Sequence, residues 1–476
     1  MVFPGNTQDV SYAVQASHNS SFGCEFAFVS GAHGQTNASS ATGFIVDLSW
    51  MNKTEILQNH NIDGKNYTLV SYQGGSQWGQ VLQITNGTGY TAVGARVSNV
   101  GVGGFSTGGG KYYYTALLVL KTGLLTYRKG IGFLAGAYGF ASDRLRAVEV
   151  VLMSGQVVTA TKSNQYSDLL WALQGGGGQF GIVTTFFQEA APEPKDVTFG
   201  TYFVSPDSIP RARNNTVQWF NNNTDPFSLM YYATGFLPAD LDKPTENLGM
   251  QTILVALRFN DPTNSYQMSF EDTFAPLLSD VDILSSQLYR LPYASAFIFD
   301  EFFPYGFRRG FYGPQTTNVT TDYLGKVTDA FGKYVNDILA TGDAPITAAW
   351  VIQYMFPGLN GNLPVDDSAT GWPHARAGHQ TLFSPAWNLA NNDAITNADN
   401  TLLNKVTYDQ QASVGPAIAD YPNYISPDAT GPRVWGSNVR RLIEIKEKYD
   451  PDCHIHQGRV FASAGCVRNG WANISP

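Results

Sequence analysis

Glycine is concentrated in three short stretches of the first 181 residues, and this pattern constrains the fold more than any other feature. One stretch surrounds Gly31 and Gly34, the second runs from Gly101 to Gly110, and the third runs from Gly175 to Gly181. Because glycine has no Cβ, such loops let backbone N–H groups come close to an anion. The pattern therefore predicts a large phosphate-bearing cofactor that several backbone loops grip from different directions.

The glycine stretches lack the context of two common nucleotide motifs. Gly176–Gly181 has the spacing G-x-G-x-x-G, but a predicted helix at 168–173 precedes it and a predicted strand at 182–187 follows it. A Rossmann fingerprint needs the opposite order, a strand and then a helix. Gly110-Lys111 resembles the end of a P-loop without that motif's first glycine or its Ser/Thr. We therefore exclude a Rossmann site and nucleotide hydrolysis.

His33 lies at the point where a predicted strand, 25–30, gives way to the first glycine loop. A histidine in such a loop lies against whatever the loop binds. It is therefore a candidate for direct bonding to the cofactor. The alternative is a histidine that only caps a turn.

Composition excludes several classes of function. The chain has 476 residues, 43% of them hydrophobic and 14% charged, which predicts a globular protein with two or three domains. Its net charge of -9 and the lack of a basic cluster argue against nucleic-acid binding. No apolar run reaches the length of a membrane span, and no Cys/His cluster has the spacing of a zinc site.

Frequent N-x-S/T sequons favour a secreted glycoprotein. They begin at Asn19, Asn37, Asn52, Asn66, Asn86, Asn214, Asn222, Asn318 and Asn473. Met1 leads directly into Val2-Phe3-Pro4, without a basic start or an apolar segment, so no signal peptide is present. Either the protein is intracellular or the chain lacks its true N-terminus, and we favour the second interpretation.

The three cysteines leave two interpretations open. Cys453 and Cys466 are close enough in sequence to form a disulfide. Cys24 would then need a partner in a missing N-terminal segment. Alternatively, all three are buried free thiols.

Pro192 and Pro194 mark a change to a second pattern, in which strands alternate with amphipathic helices. This pattern predicts an α+β domain with a mostly antiparallel sheet. The predicted strands are 197–204, 229–234, 251–259, 346–355 and 379–383, and the predicted helices are 211–220, 266–278 and 323–339. A further helix is predicted at 439–449, ended by Asp450-Pro451.

One segment, 111–130, interrupts the second glycine stretch with apolar, aromatic and basic residues. Removing it joins Gly110 directly to Ile131-Gly132 as a continuous loop. We interpret it as a retained intron that was translated. The alternative is a genuine hairpin insertion.

Several motifs, taken in order, resemble those of the berberine bridge enzyme-like flavoproteins. These proteins belong to the vanillyl-alcohol oxidase or p-cresol methylhydroxylase superfamily, and the chain is most similar to their fungal members. The resemblance covers nearly the whole chain. The motifs that carry it are Ser30-Gly31-Ala32-His33-Gly34, Val100-Gly101-Val102-Gly103-Gly104 with Gly108-Gly109-Gly110, 138–143, 171–177, Tyr421-Pro422-Asn423-Tyr424, Trp435-Gly436 and 445–451.

The resemblance implies an α+β fold with three regions. Residues 1–192 would form a two-subdomain FAD-binding domain of the p-cresol methylhydroxylase type, truncated at its N-terminus and carrying the insertion at 111–130. Residues 193–405 would form a substrate-binding domain whose mostly antiparallel sheet is covered by helices. Residues 406–476 would form a segment that returns to the FAD domain.

The same resemblance implies FAD as cofactor, attached covalently through His33 alone. Some relatives carry a second bond from a cysteine, at a position where this chain has Val97. The implied FAD-binding residues are Ser30, Gly31, Ala32, His33, Gly34, Gln35, Val100, Gly101, Gly103, Gly104, Gly108, Gly109, Gly110, Gly139, Gly181, Ile182, Val183 and Asn423. Three positions depart from the family pattern, which usually has Arg at Val29, Gly at Ala32 and often Ser at Gly34.

By resemblance, Tyr424 is the catalytic base and Asn423 orients the flavin or its own loop. The alternative is that 421–424 forms an aromatic turn that only packs two domains together. Gln353, Tyr354, His374 and His379 lie on presumed strands of the second domain and are candidates to line the substrate cavity.

The expected reaction is an oxidase reaction. A substrate C–H gives up a hydride to flavin, with O2 as acceptor and H2O2 as product. The alternatives are a carbohydrate oxidase that makes lactones and an inactive glycoprotein whose flavin site is damaged. The expected partners are a small-molecule substrate and O2, with no nucleic acid, no membrane and no second subunit.

Overall fold

The computed structural model describes residues 1–18, 25–34, 36–95, 97–110, 134–240, 243–297, 307–343, 347–356, 366–426 and 429–476. Four of the features discussed above, Asn19, Cys24, Gln35 and the segment 111–130, lie outside the described residues.

The described residues form both helices and strands. The α-helices are Thr7–Ser17 (α1), Trp78–Thr85 (α2), Val102–Thr107 (α3), Ala135–Tyr138 (α4), Ser167–Leu173 (α5), Ile209–Asn222 (α6), Phe270–Leu278 (α7), Thr321–Ala340 (α8), Asp393–Val414 (α9), Gly431–Trp435 (α10), Asn438–Tyr449 (α11) and Ala464–Arg468 (α12). The strands are Phe26–Val29 (β1), Phe44–Asp47 (β2), Thr54–Ile62 (β3), Lys65–Gln73 (β4), Tyr90–Thr91 (β5), Leu145–Val151 (β6), Val157–Thr161 (β7), Ile182–Glu189 (β8), Ala191–Pro192 (β9), Asp196–Val204 (β10), Ser228–Asp240 (β11), Lys243–Phe259 (β12), Ile283–Pro292 (β13), Arg308–Arg309 (β14), Gln315–Thr316 (β15), Thr347–Gln353 (β16) and His379–Trp387 (β17).

The first sheet has five antiparallel strands in the order β3-β4-β8-β6-β7. Val148 and Val150 of β6 are fully buried, and they share one core with α2 and α5. Helix α11 completes that core with Val439, Leu442 and Ile445. Helix α11 therefore packs on the first sheet, although the strands of the second sheet lie between them in the sequence.

A smaller unit at the N-terminus supports the first glycine loop. Strands β1 and β2 pair in parallel, and α1 packs on them through Val10 and Val14. Strand β1 ends at Val29, immediately before Ser30 and the loop that carries His33. The loop therefore starts from a fixed point in the core.

The second sheet has eight strands, with β13-β10-β12-β11-β16-β17-β14 in sequence across it and β15 paired with β17. Its strands pair antiparallel. Because side chains alternate between the two faces of a strand, Tyr232 packs under α6 to α9 while Tyr231 faces Leu134 and Ala137 of the first part of the chain. This arrangement confirms the α+β class and the mostly antiparallel, helix-covered second sheet.

All five strands predicted after Pro194 are present, at 196–204, 228–240, 243–259, 347–353 and 379–387. The start of one predicted helix was wrong, because α7 begins at Phe270 and not at residue 266. The side chain of Ser269 accepts a hydrogen bond from the backbone N–H of Asp272, and Asp272 bonds back to the N–H of Ser269. This capping box fixes the first turn four residues later than the hydrophobic pattern suggested.

Cys453 and Cys466 form a disulfide, with their Cα atoms 5.0 Å apart. The prediction that these two cysteines pair is therefore confirmed. No helix in the described ranges is long and apolar enough to cross a membrane.

Candidate cofactor site

Two of the glycine loops meet in direct backbone contact. A Cβ placed on Gly31 would lie 2.3 Å from the backbone nitrogen of Gly101, and a Cβ on Gly101 would lie 2.3 Å from that of Gly31. The N–H of Gly103 donates to Oγ of Ser30 at 3.1 Å. Only glycine fits at both crossing positions, so the loops together form one wall of a cleft.

His33 lies on the lining of this cleft and is half-buried. The residue before it, Ala32, has φ of 52°, in the left-handed region that favours glycine. The chain therefore turns sharply immediately before the histidine. This turn brings the imidazole to the cleft instead of into the core of the small N-terminal unit.

The third glycine stretch forms a second wall. The N–H groups of Gly175 and Gly177 both donate to the backbone oxygen of Thr107 at 2.9 Å, which ties this stretch to α3. Gly177 has φ of +79°, and a Cβ there would meet nothing within 4 Å. Its backbone is therefore open to the cleft.

A third wall comes from the C-terminal part of the chain. The side-chain amide of Asn423 donates to the backbone oxygen of Gly104 at 3.3 Å and to the hydroxyl of Tyr421 at 2.8 Å. Gly108 packs directly on this amide, since a Cβ there would lie 2.2 Å from Asn423 Oδ1. Residues distant in sequence are thus brought to one site.

A buried ion pair holds this C-terminal wall in place. The ammonium of Lys446 donates to Asp450 Oδ2 at 2.6 Å, and both side chains are fully buried. It also donates to the backbone oxygens of Gln179 at 2.9 Å and Ile455 at 2.7 Å. Burial lowers the pKa of Lys446, and the neighbouring Asp450 carboxylate opposes that effect. Gln179 and Ile455 both line the cleft, so this ion pair fixes two of its walls.

Gln179, on the cleft lining, has a buried side-chain oxygen that accepts no hydrogen bond from the described residues. Its Nε2 donates to the backbone oxygen of Gln457 at 3.3 Å. Its Oε1 is buried and has no hydrogen-bond partner among the described residues. A buried acceptor left this way is costly unless a ligand or water supplies a donor.

Tyr424 lies between the cleft and the second sheet. Its side chain is 2% exposed and packs in a cluster with Phe140, Trp372, Met355 and Leu382. Its ring meets that of Tyr421 edge-on, with centroids 5.2 Å apart. The neighbouring residues 422, 423 and 425 line the cleft.

The four candidate substrate contacts occupy different places. Gln353 is fully buried at the end of β16, and its Oε1 has no partner within the described part of the chain. Tyr354 stacks on His379 at 5.4 Å, and both rings contact Phe220 under the helices of the second sheet. These contacts are those of core packing, on the side of the sheet away from the cleft.

His374 joins two separate parts of the chain. Its Nε2 lies 2.9 Å from Asp143 Oδ1, and its Nδ1 lies 2.6 Å from the backbone oxygen of Trp372. Its ring stacks on Trp372, with centroids 4.4 Å apart. The histidine therefore holds the loop between β16 and β17 against the loop after α4.

Most of the predicted FAD-binding residues line one cleft. These are Ser30, Gly31, Ala32, His33, Gly34, Val100, Gly101, Gly103, Gly104, Gly108, Gly181, Val183 and Asn423. Gly109 and Gly110 instead pack against Trp372 and Ala141, and Ile182 packs in the core of the N-terminal unit. Gly139 ends α4 with φ of 79°.

Sequence reasoning missed several lining residues. They include Gly176, Gly177, Gly178, Gln179, Gln457 and Arg459. The glycine run at 175–178 was a sufficient signal for the first three. Gln457 and Arg459 had no local signal, because only the return of the C-terminus brings them to the cleft.

Two protein families match parts of this chain. The FAD binding domain family matches residues 1–116, and the berberine and berberine-like family matches residues 420–454. The first segment contains the cleft loops at 30–34 and 100–108, and the second contains the cleft residues at 422–425. In these two segments the chain is similar to the berberine bridge enzyme-like FAD-linked oxidoreductases.

Individual relatives agree with this family. An FAD-linked oxidoreductase of Dictyostelium discoideum is 24% identical over 95% of this chain and 86% of its own length. The FAD-linked oxidoreductase pgmH of Aspergillus terreus is 34% identical, over 38% of this chain and 30% of its own length. The chain thus matches less than a third of pgmH.

The fold is also that of known flavoenzymes. The glucooligosaccharide oxidase of Acremonium strictum superposes on 97% of this chain and 90% of its own with a TM-score of 0.71, at 17% identity. The chain therefore has the fold of this flavoenzyme.

The cleft fits the FAD of this family. It has about 1440 Å³ of space free of protein atoms, including open solvent at its mouth. The glycine walls leave backbone accessible, and Gln179 Oε1 offers an unused acceptor. The loops at 30–34, 100–108 and 176–183, together with Asn423, would hold the cofactor.

Proposed function

We propose that this chain is an FAD-dependent oxidase that oxidises a C–H bond of a small-molecule alcohol or secondary metabolite. When bound, FAD accepts a hydride from that C–H. The substrate also loses one proton, and O2 is reduced to H2O2, so two electrons and two protons are balanced. The observation that carries the proposal is the meeting of the His33 loop, the Gly101 loop and the 421–425 segment at one cleft.

We infer that His33 bonds covalently to the flavin. Its position on the cleft lining, directly after the sharp turn at Ala32, supports this role. The structurally similar Acremonium strictum oxidase carries a 6-S-cysteinyl, 8α-N1-histidyl FAD. Val97 in this chain cannot form a thioether, so we propose a single bond.

We propose Tyr424 as the base that takes the substrate proton. Its burial among aromatic side chains keeps water from competing for that proton, and residues on either side of it line the cleft. A free tyrosine has a pKa of about 10, so the bound state must stabilise the phenolate. Asn423, held by Gly104 and Tyr421, would fix the loop that presents Tyr424.

A carbohydrate oxidase is the second candidate, and a row of amides favours it. Gln353 of β16 pairs in register with Gln380 of β17, and Gln315 of β15 pairs with Gln380 on its other side. All three are buried. Gln380 donates to the backbone oxygen of Gly313, whose N–H donates to the backbone oxygen of Tyr424. Amides beside the base suit a substrate with several hydroxyl groups.

We further propose that the protein is secreted, glycosylated and monomeric, with the region boundaries at 192 and 405 given above. Seven of the sequons support glycosylation because their asparagines are exposed; these are Asn37, Asn52, Asn66, Asn86, Asn214, Asn222 and Asn473. Analysis of glycopeptides from protein made in a eukaryotic host tests this.

The central experiment is acid precipitation of the purified protein. If His33 holds the flavin, yellow colour remains in the precipitate, and a His33→Ala variant loses it. A Tyr424→Phe variant should keep the colour and lose about 10²–10⁴-fold in turnover, measured as H2O2 release from alcohols and oligosaccharides. A colourless protein, unable to bind added FAD, contradicts the whole proposal.

A further inference from the structure

Trp50 is the most exposed tryptophan of the chain. It is 68% exposed, whereas seven of the nine tryptophans are buried. The other exposed one, Trp471 at 39%, stacks on His456 with ring centroids 3.8 Å apart. Trp50 stacks on Phe3, itself exposed, with centroids 5.5 Å apart and the rings inclined by 28°. The exposed parts of the Phe3 and Trp50 rings form an aromatic platform on the surface, away from the cofactor cleft.

The backbone under both rings of the aromatic platform is held in place. Val2, directly before Phe3, forms a parallel bridge to β2. Trp50 ends the 3₁₀ turn Leu48–Trp50, which the N–H of Met51 closes by donating to the oxygen of Leu48 at 2.7 Å. The aromatic platform is therefore preorganised, so a group that covers it loses little entropy in ordering it.

A glycosylation sequon follows Trp50 directly. Asn52-Lys53-Thr54 places the acceptor asparagine two residues after the tryptophan. Met51, between them, is fully buried, whereas Trp50 and Asn52 are both exposed. This alternation puts the indole and the asparagine amide on the same, outer side of the chain.

Hydrogen bonds fix the backbone on both sides of Asn52. The oxygen of Met51 accepts from the N–H of Gly75 at 3.0 Å. The N–H of Lys53 donates to Oε1 of Gln73, and the N–H of Gln73 donates to the oxygen of Lys53, both at 3.0 Å. A sugar on Asn52 would thus start from a fixed point beside the aromatic platform.

We propose that the aromatic platform binds the first sugar of an N-linked glycan on Asn52. The inference rests on the proposed glycosylation and is independent of the flavin chemistry. A pyranose ring has a face of C–H bonds, whose slightly positive hydrogens are attracted to the negative face of an aromatic ring. The contact also removes apolar surface of Trp50 from water. The glycan then has one direction on the surface instead of moving freely.

The first test measures whether the sugar covers the indole. The protein is secreted from a eukaryotic host behind a heterologous signal peptide, and glycopeptide mass spectrometry establishes whether Asn52 is occupied. Its glycans are trimmed to a single N-acetylglucosamine, and oxidation of tryptophan by hydroxyl radicals is compared with that in Asn52→Gln. We expect the sugar to lower Trp50 oxidation about twofold or more, because covering one face of an indole removes about half of its accessible surface. Trp471, which stacks on His456, should be oxidised equally in both proteins.

The second test measures how tightly the sugar is held in the folded protein. Peptide-N-glycanase must reach the first sugar to release the glycan. Trp50→Ala should speed release from Asn52 by about 2–10-fold, which corresponds to an aromatic contact of about 0.5–1.5 kcal/mol. Trp50→Phe keeps an aromatic face and should stay within about twofold of the parent. Asn66, an exposed acceptor with Gly64 two residues before it, is the internal control and should release its glycan at one rate in all variants.

The outcomes separate this inference from the proposed glycosylation. Equal oxidation of Trp50 in the parent and Asn52→Gln overturns the inference, and so do equal release rates from the parent and Trp50→Ala. An unoccupied Asn52 beside other occupied sequons overturns it too and leaves the proposed glycosylation standing. If no sequon of the secreted protein is occupied, the proposed glycosylation itself is wrong.

Discussion

Ala32 occupies a backbone conformation that suits glycine, directly before the proposed flavin attachment point. Its φ of 52° costs an L-residue about 1–2 kcal/mol, whereas glycine loses about 0.5–1 kcal/mol through its freer unfolded chain. We therefore expect Ala32→Gly to raise the free energy of unfolding by up to about 1 kcal/mol. Chemical denaturation of the two proteins, followed by circular dichroism, measures this.

The matched control is Ala38→Gly, at another lining residue of the same cleft. Ala38 lies in a short 3₁₀ turn, Asn37–Ser39, so glycine there relieves no strain. We expect it to lower the free energy of unfolding by about 0.5–1 kcal/mol. If both substitutions shift stability in the same direction, the left-handed turn at residue 32 is not a source of strain.

At the residue scale, the sequence predicted the cleft well where glycine was dense and poorly where it was not. Gly31 and Gly101 were identified by the density of glycine, and glycine is needed there because a Cβ on either residue would lie 2.3 Å from the backbone nitrogen of the other. Arg459 could not be identified, because its neighbours Ser426 and Ala429 reach it through tertiary contacts alone. Local spacing carries no signal for such contacts.

At the element scale, the chain depends on the ion pair at the end of α11. Lys446→Met would leave the Asp450 carboxylate buried without its cation, which costs about 3–5 kcal/mol. The backbone oxygens of Gln179 and Ile455 would also lose their donor. We expect a lower denaturation midpoint together with weaker FAD retention, since both residues line the cleft.

Lys448→Met gives the comparison on the same helix. Lys448 pairs with Asp168 at 2.7 Å, but its side chain is 53% exposed. Exposed ion pairs contribute about 0–1 kcal/mol, so this variant should keep its stability and its flavin. Equal losses from both variants would mean that the charge of α11, and not the buried pair, stabilises the fold.

Some elements could not be predicted because their packed faces are polar. The buried side of α9 includes Thr396, Asn400, Thr407 and Gln411, with Leu403 as its large apolar residue. Hydrophobic periodicity does not detect such a helix. Strand β3 also lacks an apolar pattern, because it is the edge strand beside β4 and most of its side chains face solvent. Five strands of the second sheet were predicted, whereas β13, most of whose side chains are exposed, and the two-residue strands β14 and β15 were not.

At the scale of the whole molecule, buried tyrosines set the response to alkaline pH. Burial raises the pKa of Tyr72, Tyr293, Tyr323, Tyr334 and Tyr354 above the ordinary value of 10.0. The folded state thus favours the neutral phenol. The stabilisation from these groups is fully present below pH 10 and is lost as the pH rises above 10. Above pH 10, each such tyrosine lowers the free energy of unfolding by about 1.4 kcal/mol per pH unit.

We therefore expect abrupt, cooperative unfolding above pH 10, in which tyrosinate absorbance and loss of circular dichroism change together. Smooth titration of all tyrosines with the fold intact would show that these rings are accessible to solvent.

Trp372, which is fully buried, is one of the side chains that connect the two sheets. It comes from the loop between β16 and β17, and its indole N–H donates to the backbone oxygen of Asp420 at 3.0 Å. Its backbone N–H donates to Gln174, next to Gly175, where a Cβ would lie 2.3 Å from Trp372 Cβ. One residue of the second sheet thus contacts both a flavin loop and the segment that carries Tyr424.

Trp372→Ala should therefore do more than lower stability. Truncating a buried tryptophan costs about 3–5 kcal/mol, and here the loss falls at the junction of the two sheets. We expect calorimetry to resolve two unfolding transitions where the parent shows one, because the sheets no longer unfold together. Trp50→Ala, at a side chain 68% exposed, should change stability by only about 0.5 kcal/mol. A single transition at lower temperature would mean that Trp372 fills the core without coupling the sheets, and that the position of Tyr424 relative to the flavin loops depends on other contacts.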